Sequence, residues 1–176
     1  MRSLLVLLVL ISVFGQQAFA VDGYKDLKFG ESSKTILGKI GTRGCPVPNF
    51  DGFFGKDPAM LFCPAFDFGG KETPTLLIFS KDKLVRVAFV LKNPDEAGIY
   101  LDAMTKRFGK PAYNKDEVTK FAAGETTQID YTFASKTVIL RQDQSNAVKK
   151  TMIIYTTSDA ESKLAKSRAK AIEGGL

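Results

Sequence analysis

The chain has 176 residues and a formal net charge of +6, with 44% hydrophobic, 25% charged and 11% aromatic residues. This composition is typical of a globular protein and excludes collagen-like, disordered and polytopic membrane proteins. The sequence contains no histidine, which excludes Ser-His-Asp and Cys-His catalytic groups and zinc sites with histidine ligands. It favours a binding protein over an enzyme, and it predicts neither a cofactor nor a metal site.

Residues 1–20 have the three parts of a secretory signal peptide. Arg2 supplies a positive charge, an apolar stretch covers Leu4–Phe14, and Ala18-Phe19-Ala20 forms a small-residue cleavage motif. The apolar stretch is too short for a bilayer core of about 30 Å, because a helix rises only about 1.5 Å per residue. We expect cleavage after Ala20 rather than an uncleaved anchor, and a mature protein without a membrane span that is periplasmic or secreted.

Cys45 and Cys63 are the two cysteines of the chain. In an oxidising compartment they can form a disulfide that closes the loop between them. A redox pair or a metal site is the alternative, but the spacing is not C-x-x-C and two sulfurs do not complete a zinc site. The sequence therefore favours a structural disulfide.

Local signals predict one helix near the start of the mature chain, followed by an irregular region. The helix covers Glu31–Ile40, with serines at its start and Gly41 after its end. Residues 44–73 are rich in proline and phenylalanine, and they are expected to be irregular, with short strands near Met60–Cys63 and around Phe66.

A hairpin and a second helix follow. The strands Thr75–Phe79 and Leu84–Leu91 are rich in β-forming residues and are joined by a turn at 80–83. The second helix begins at the cap Asn93, has a proline at its first position, and ends at Gly109.

The last third of the chain is predicted to be mainly strand. A capping box at Ser158-Asp-Ala-Glu161 then begins a lysine-rich C-terminal helix, within 158–176, that either docks weakly or frays. The four predicted strands are Tyr113–Phe121, Thr126–Phe133, Thr137–Asp143 and Val148–Thr157.

These elements predict an α+β fold. We expect an antiparallel sheet of about six to eight strands with two helices on one face, and a short C-terminal helix. A single domain covers residues 21–157, and the repeated order of elements indicates pseudo-repeats at 27–92 and 93–157. The repeats are interpreted as a possible α-β4 duplication.

Two segments carry a resemblance to known exported proteins. They are Leu27-Lys-Phe-Gly-Glu-Ser-Ser-Lys-Thr-Ile-Leu-Gly-Lys-Ile-Gly41 and Met104-Thr-Lys-Arg-Phe-Gly-Lys-Pro111. The first resembles the helix opening of the outer-membrane-assembly small lipoproteins and of tandem folds similar to the β-lactamase inhibitor protein. The resemblance implies protein binding rather than catalysis, although the lipidated cysteine of the assembly lipoproteins is missing here.

The phenylalanine-rich loop is the candidate binding site in the sequence. Six phenylalanines fall between Phe50 and Phe68, and Gly52 and Gly55 flank the pair Phe53-Phe54. Most of these rings are expected to fill the core, because full burial of each is worth about 1.5–3 kcal/mol. The alternative is that Phe53 and Phe54 stand exposed as an anchor for a partner.

Asp51, Asp57, Asp67 and Glu72 are the candidates for an enzymatic alternative. Paired carboxylates can hydrolyse glycosides when they converge in a cleft, although aspartate beside glycine or proline more commonly serves a turn.

The sequence thus favours an exported, non-enzymatic binding protein of the bacterial cell envelope. The alternatives are an envelope hydrolase and a structural or chaperone-like module. Since the net charge is mildly positive, the expected partner is a protein or an anionic envelope component, and not nucleic acid.

Overall fold

The computed structural model describes residues 20–46, 57–145, 148–164 and 166. It confirms the α+β fold. Three helices are α1 (Ser33–Ile40), α2 (Ala97–Phe108) and α3 (Lys115–Ala122), and a C-terminal helix begins at Ala160. The strands are β1 (Gly23–Tyr24), β2 (Leu27–Lys28), β3 (Ala59–Phe68), β4 (Lys71–Ser80), β5 (Lys83–Val90), β6 (Gln128–Phe133), β7 (Val138–Asp143) and β8 (Lys150–Thr156).

The main sheet has six antiparallel strands in the order β3-β4-β5-β8-β7-β6, and β1 and β2 form a separate two-stranded sheet. The order of the main sheet is symmetrical about the β5–β8 pair, in which Ala88 lies opposite Ile154. Each half of the chain contributes three strands to it, and not the four of the expected α-β4 duplication. The domain bounds and the pseudo-repeats at 27–92 and 93–157 stay predictions.

In the first half of the chain, one strand fewer forms than predicted because β3 takes the place of two predicted strands. The two short strands predicted near Met60–Cys63 and around Phe66 are parts of one ten-residue strand, Ala59–Phe68, at the edge of the sheet. Pro64 interrupts the hydrogen-bonding pattern, and the register with β4 shifts between Cys63 and Phe66. An edge strand accommodates a proline at such an irregularity, whereas a central strand does not.

The other missing strand is a helix. The prediction of a strand at Tyr113–Phe121 is wrong, because Lys115–Ala122 forms α3. The Asn114 side chain accepts a hydrogen bond from the Asp116 backbone N–H at 3.0 Å, and two acidic residues lie in the first turn. These features stabilise a helix start, and they outweigh the β-forming residues Val118 and Thr119.

The predictions for the first two helices are confirmed. Ser32 caps α1 by accepting from the Thr35 backbone N–H at 3.2 Å. Asn93 caps a short 3₁₀ turn, Pro94–Glu96, which leads into α2. Both helices pack on the same face of the main sheet and share one core with it.

The β4–β5 turn also forms as predicted. Lys81 and Asp82 have φ values of 49° and 61°, the combination that a tight two-residue hairpin turn requires.

The C-terminal helix lies on the opposite face of the main sheet. Ala160 and Leu164 are buried there against Ile78 and Val85. Glu161 and the buried Arg86 form an ion pair with an O–N distance of 2.5 Å. The described part of this helix is therefore docked, and it begins two residues after the predicted cap Ser158.

The same face of the main sheet, where the C-terminal helix does not cover it, carries apolar side chains on neighbouring strands. At the β3 edge, Met60 and Phe62 are half exposed, at 51% and 52%. The strand register places one row across the six strands: Phe62, Leu76, Ala88, Ile154, Ile139 and Thr132. In the described parts of the chain, no helix has the length and apolar character needed to cross a membrane.

Candidate functional site

The residues predicted to form a binding anchor, Phe53 and Phe54, lie outside the described residues. The predicted disulfide is confirmed, since Cys45 and Cys63 are bonded and both are buried. This bond ties the segment that follows α1 to the middle of β3. Of the loop phenylalanines that the structure describes, Phe66 is fully buried and Phe62 is half exposed.

The candidate carboxylates do not come together as a group. Asp51 lies outside the described residues, and Asp57 lies just before β3, where it accepts from the Lys81 backbone N–H at 3.3 Å. Asp67 and Glu72 are cross-strand neighbours at the far end of β3. Because a strand rises about 3.3 Å per residue, Asp57 and Asp67 are roughly 30 Å apart.

A different candidate site lies elsewhere in the described part of the chain. A cleft of about 650 Å³ opens between the β1–β2 hairpin, α2 and the main sheet, and we call it the aromatic cleft. Its volume lies within the range of about 300–1,000 Å³ that is typical of small-molecule sites. Its ring-bearing wall residues are Tyr24, Phe68, Tyr100, Phe108 and Tyr155.

Four of the five cleft rings belong to one connected aromatic cluster, whereas Phe108 pairs with Phe133 instead. The centroid of Tyr24 lies 5.8 Å from that of Phe68 and 5.0 Å from that of Tyr155. Phe68 in turn lies 6.4 Å from Tyr100, and it stacks on the buried Phe89 at 4.3 Å. Such contacts fix the ring orientations and contribute beyond their buried area, so the cleft walls are preformed.

The short β1–β2 hairpin forms one side of the cleft, because its two buried side chains, Tyr24 and Leu27, pack on the sheet. Gly23 is required at its position by a close backbone approach: a Cβ atom there would lie 2.2 Å from the Leu27 carbonyl oxygen. This glycine lets the two strands of the hairpin approach each other closely, and Tyr24 in the same hairpin lies 4.6 Å from Phe89 between ring centroids.

Charged residues lie at the rim of the cleft. The Lys25 Nζ atom pairs with Asp67 at 3.1 Å, and the Asp22 carboxylate pairs with Lys28 at 2.9 Å. Arg107, in the last turn of α2, lines the cleft with its Cζ atom 5.1 Å from the centre of the Phe108 ring. The rim thus holds two acid–base pairs and an arginine.

Two phenols face a low-polarity environment in this cleft. Burial raises the pKa of Tyr24 and of Tyr155 above the ordinary value for tyrosine. The Asp67 charge raises the pKa of Tyr24 further, and the positive charge of Arg107 partly offsets the rise at both residues. Both phenols are therefore neutral at physiological pH, and each has an O–H donor.

A second cavity, of about 460 Å³, lies at the β4–β5 turn and the C-terminal helix. Its floor includes the buried Leu84 and Val85. The lysines around it are solvent-exposed, and each amine is carried on a flexible stem, so it is less preorganised than the aromatic cleft. These lysines are Lys81, Lys83, Lys163 and Lys166.

Sequence reasoning did not find the aromatic cleft. Its walls come from β1, the end of β3, α2 and β8, which are far apart in the chain. One usable signal was present, because Tyr100 and Arg107 are seven positions apart and lie on one face of a predicted helix. Nothing local indicates that this face lies beside Tyr24.

Comparisons with known proteins place this chain in a family without assigning a function. A family model described as "Uncharacterised protein" matches residues 24–174. An "Uncharacterized protein" of Haemophilus influenzae is 27% identical over 180 residues, and the match covers 100% of both chains. No solved structure matches. The resemblance to outer-membrane-assembly lipoproteins and to the β-lactamase inhibitor protein finds no support in these comparisons.

Proposed function

Since the chain belongs to this family of uncharacterised proteins, we propose its function from its own site: an extracytoplasmic, non-enzymatic binding protein whose aromatic cleft holds an apolar group of a ligand. The observation that carries the proposal is the cleft itself. It combines a volume of about 650 Å³ with rings held in place by a shared cluster. Preformed apolar concavities with few polar groups are the usual form of ligand sites.

Two observations support a location outside the cytoplasm. The buried disulfide between Cys45 and Cys63 is of the kind that persists in oxidising compartments. Residues 1–20 have the charged start, apolar stretch and small-residue cleavage motif of a secretory signal peptide, which predicts export.

The positions of the acidic residues favour binding over hydrolysis. A carboxylate-based glycosidase needs two carboxyl groups within about 5–10 Å of each other in a cleft. Asp67 is engaged by Lys25, and the Lys25 hydrogen bond holds the pKa of its carboxyl below the ordinary value, so it does not act as a general acid near neutral pH. Glu72 is the cross-strand neighbour of Asp67, but both residues are solvent-exposed and not enclosed in a cleft, and Asp57 lies at the other end of β3.

A partner protein at Phe53 and Phe54, the site predicted from the sequence, is a second hypothesis. Phe62 and Met60, half exposed on the same edge strand that follows this loop, favour it. The mild positive charge also keeps an anionic envelope component among the expected partners.

The test of the proposal is the binding of a neutral fluorescent probe, N-phenyl-1-naphthylamine, to the exported protein. The chain contains no tryptophan, so the background emission is low. Tyr100→Ala removes a ring that lines the cleft, and we expect about 5- to 10-fold weaker binding from the lost aromatic contact.

The matched control is Ile99→Ala on the same helix. Ile99 is 70% exposed and does not line the cleft, so its removal should leave the probe affinity unchanged. Thermal melts of both variants show whether the fold is retained. Equal probe affinity for the wild type and a folded Tyr100→Ala variant would refute binding in the cleft.

A further inference from the structure

We infer that the ligand of the aromatic cleft is an amphipathic anion. Its single negative group faces Arg107 and the phenols of Tyr24 and Tyr155, and its apolar body lies along the rings of Phe68, Tyr100 and Phe108. The inference rests on the proposed function, because it assigns the chemical class of the ligand to the same cleft.

The first observation is the balance of charges at the rim of the cleft. Lys25 and Asp22 each have an opposite charge within 3.1 Å, so these residues largely cancel. The other three described arginines, Arg43, Arg86 and Arg141, each pair with a carboxylate. Among the residues that the structure describes, no carboxylate lies within 4.0 Å of the Arg107 guanidinium. The described groups that line the cleft therefore have an excess of one positive charge.

The position of Arg107 relative to the phenols carries the second step. A cation in the last turn of a helix interacts favourably with the helix dipole. Arg107 and its neighbour Lys106 both lie in the last turn of α2, so this interaction does not distinguish them. Arg107 differs from Lys106 because it lines the cleft, and its charge acts on both Tyr24 and Tyr155. Arg107, Tyr24 and Tyr155 thus line the same cleft, whereas Lys106 does not.

Arg107, Tyr24 and Tyr155 provide hydrogen-bond donors and no negatively charged acceptor. A guanidinium has five N–H donors, and each neutral phenol adds an O–H donor. Hydrogen bonds from such donors to an ionised acceptor are about twice as strong as bonds between neutral groups, and a carboxylate fits the guanidinium fork. The neighbouring side chains are apolar rings, so the rest of the ligand must be apolar.

A single negative charge fits the cleft better than a double one. The Asp22 and Asp67 carboxylates lie near the rim, and Arg107, which has no carboxylate partner among the described residues, offsets one negative charge. A monoanionic acid with an acyl or an aromatic body meets this requirement. Acids with an acyl body and acids with an aromatic body share this binding chemistry, and the competition experiment below distinguishes them.

The experiment compares two probes that share one ring system. 8-Anilinonaphthalene-1-sulfonate carries a sulfonate, whereas N-phenyl-1-naphthylamine is the same body without it. We expect Arg107→Gln to weaken binding of the sulfonate probe about tenfold and to leave the neutral probe unchanged, since a hydrogen bond to a charged group is lost. Arg107→Lys keeps the charge and should restore part of the affinity.

Matched controls and competitors complete the test. Lys106→Gln removes the same charge from the same helix turn outside the cleft, and it should change neither affinity. Dodecanoate and 2-naphthoate then compete for the sulfonate probe. Displacement at the lower concentration by the former assigns an acyl acid, and displacement at the lower concentration by the latter assigns an aromatic acid.

The outcomes separate this inference from the proposed function. If neither probe responds to Tyr100→Ala, the cleft is not the site and the proposed function fails. If Tyr100→Ala weakens both probes but Arg107→Gln affects neither, or affects both equally, the cleft binds ligands without selecting an anion. That result, or failure of both competitors to displace the probe, would overturn the inference alone.

Discussion

Leu164→Ala tests how firmly the C-terminal helix is docked on the sheet. The Leu164 side chain is 2% exposed and packs with Ala160 against Ile78 and Val85, in a cluster separate from the main core. The substitution removes about three methylene equivalents, worth about 0.8 kcal/mol each. Because this cluster is small and lies near the surface, it can partly collapse, so the expected loss is about 2–3 kcal/mol, at the low end of the range for buried leucines.

The measurement is urea unfolding followed by far-UV circular dichroism, since the chain has no tryptophan to report on the core. For a domain of this size, the loss corresponds to a melting temperature lower by roughly 4–12 °C. The control is Lys166→Ala, at an exposed position on the same helix, which should stay within about 0.5 kcal/mol of the wild type.

A second readout separates local from global loss. If only the helix detaches, limited trypsin digestion should cut at Lys163 faster in Leu164→Ala while the sheet stays folded. An unchanged urea midpoint together with unchanged trypsin sensitivity would show that Leu164 does not hold the helix in place, and would refute the packing argument.

Two further predictions concern the disulfide and the response to acid. Replacing Cys45 and Cys63 by alanine should lower the free energy of unfolding by about 3 kcal/mol, because the bond closes a loop of about 19 residues; a reductant should do the same to the wild type, and equal urea midpoints would contradict it. The Lys39 side chain hydrogen-bonds to Glu31 at 2.6 Å and holds the pKa of that carboxyl below its ordinary value. The contribution of this ion pair to stability is about 0.5 kcal/mol, because the pair is partly exposed. It is present above the pKa of the carboxyl in the unfolded chain, and it is lost as the pH falls through the lowered pKa of Glu31 in the folded protein. Glu31→Gln should therefore be less stable at pH 7 and lose less stability between pH 5 and pH 2; unfolding curves with the same pH dependence as the wild type would count against it.

The elements with strong local signals were predictable from the sequence. α1 and α2 have capping side chains at Ser32 and Asn93, and the β4–β5 hairpin has a short polar turn between β-rich strands. In these segments, local backbone preferences and tertiary packing favour the same structure. Their positions were therefore predicted to within a few residues.

The errors occurred where local signals conflicted with each other or with the tertiary structure. Pro64 suggested two short strands, but at the edge of a sheet it is compatible with one strand and an irregular register. At Tyr113–Phe121, the β-forming residues hid the cap at Asn114 and the acidic first turn, which decide in favour of α3.

The aromatic cleft could not be predicted for a different reason. Tyr24, Tyr100 and Tyr155 come from three distant parts of the chain, and each alone resembles an ordinary core or surface tyrosine. Only the strand order, which places β8 beside β5 in the centre of the sheet, brings Tyr155 next to Phe89 and Tyr24. No pattern in a single segment encodes that order.

The symmetrical strand order also has a consequence for how the chain folds. Within each half, every strand pairs with its neighbour in sequence, so β3-β4-β5 and β6-β7-β8 are two meanders of low contact order. The β5–β8 pair is the one junction of the main sheet that joins distant positions, such as Ala88 and Ile154. The loop-closure entropy of the sheet is therefore concentrated at this seam, and each meander can assemble from local contacts before the seam closes.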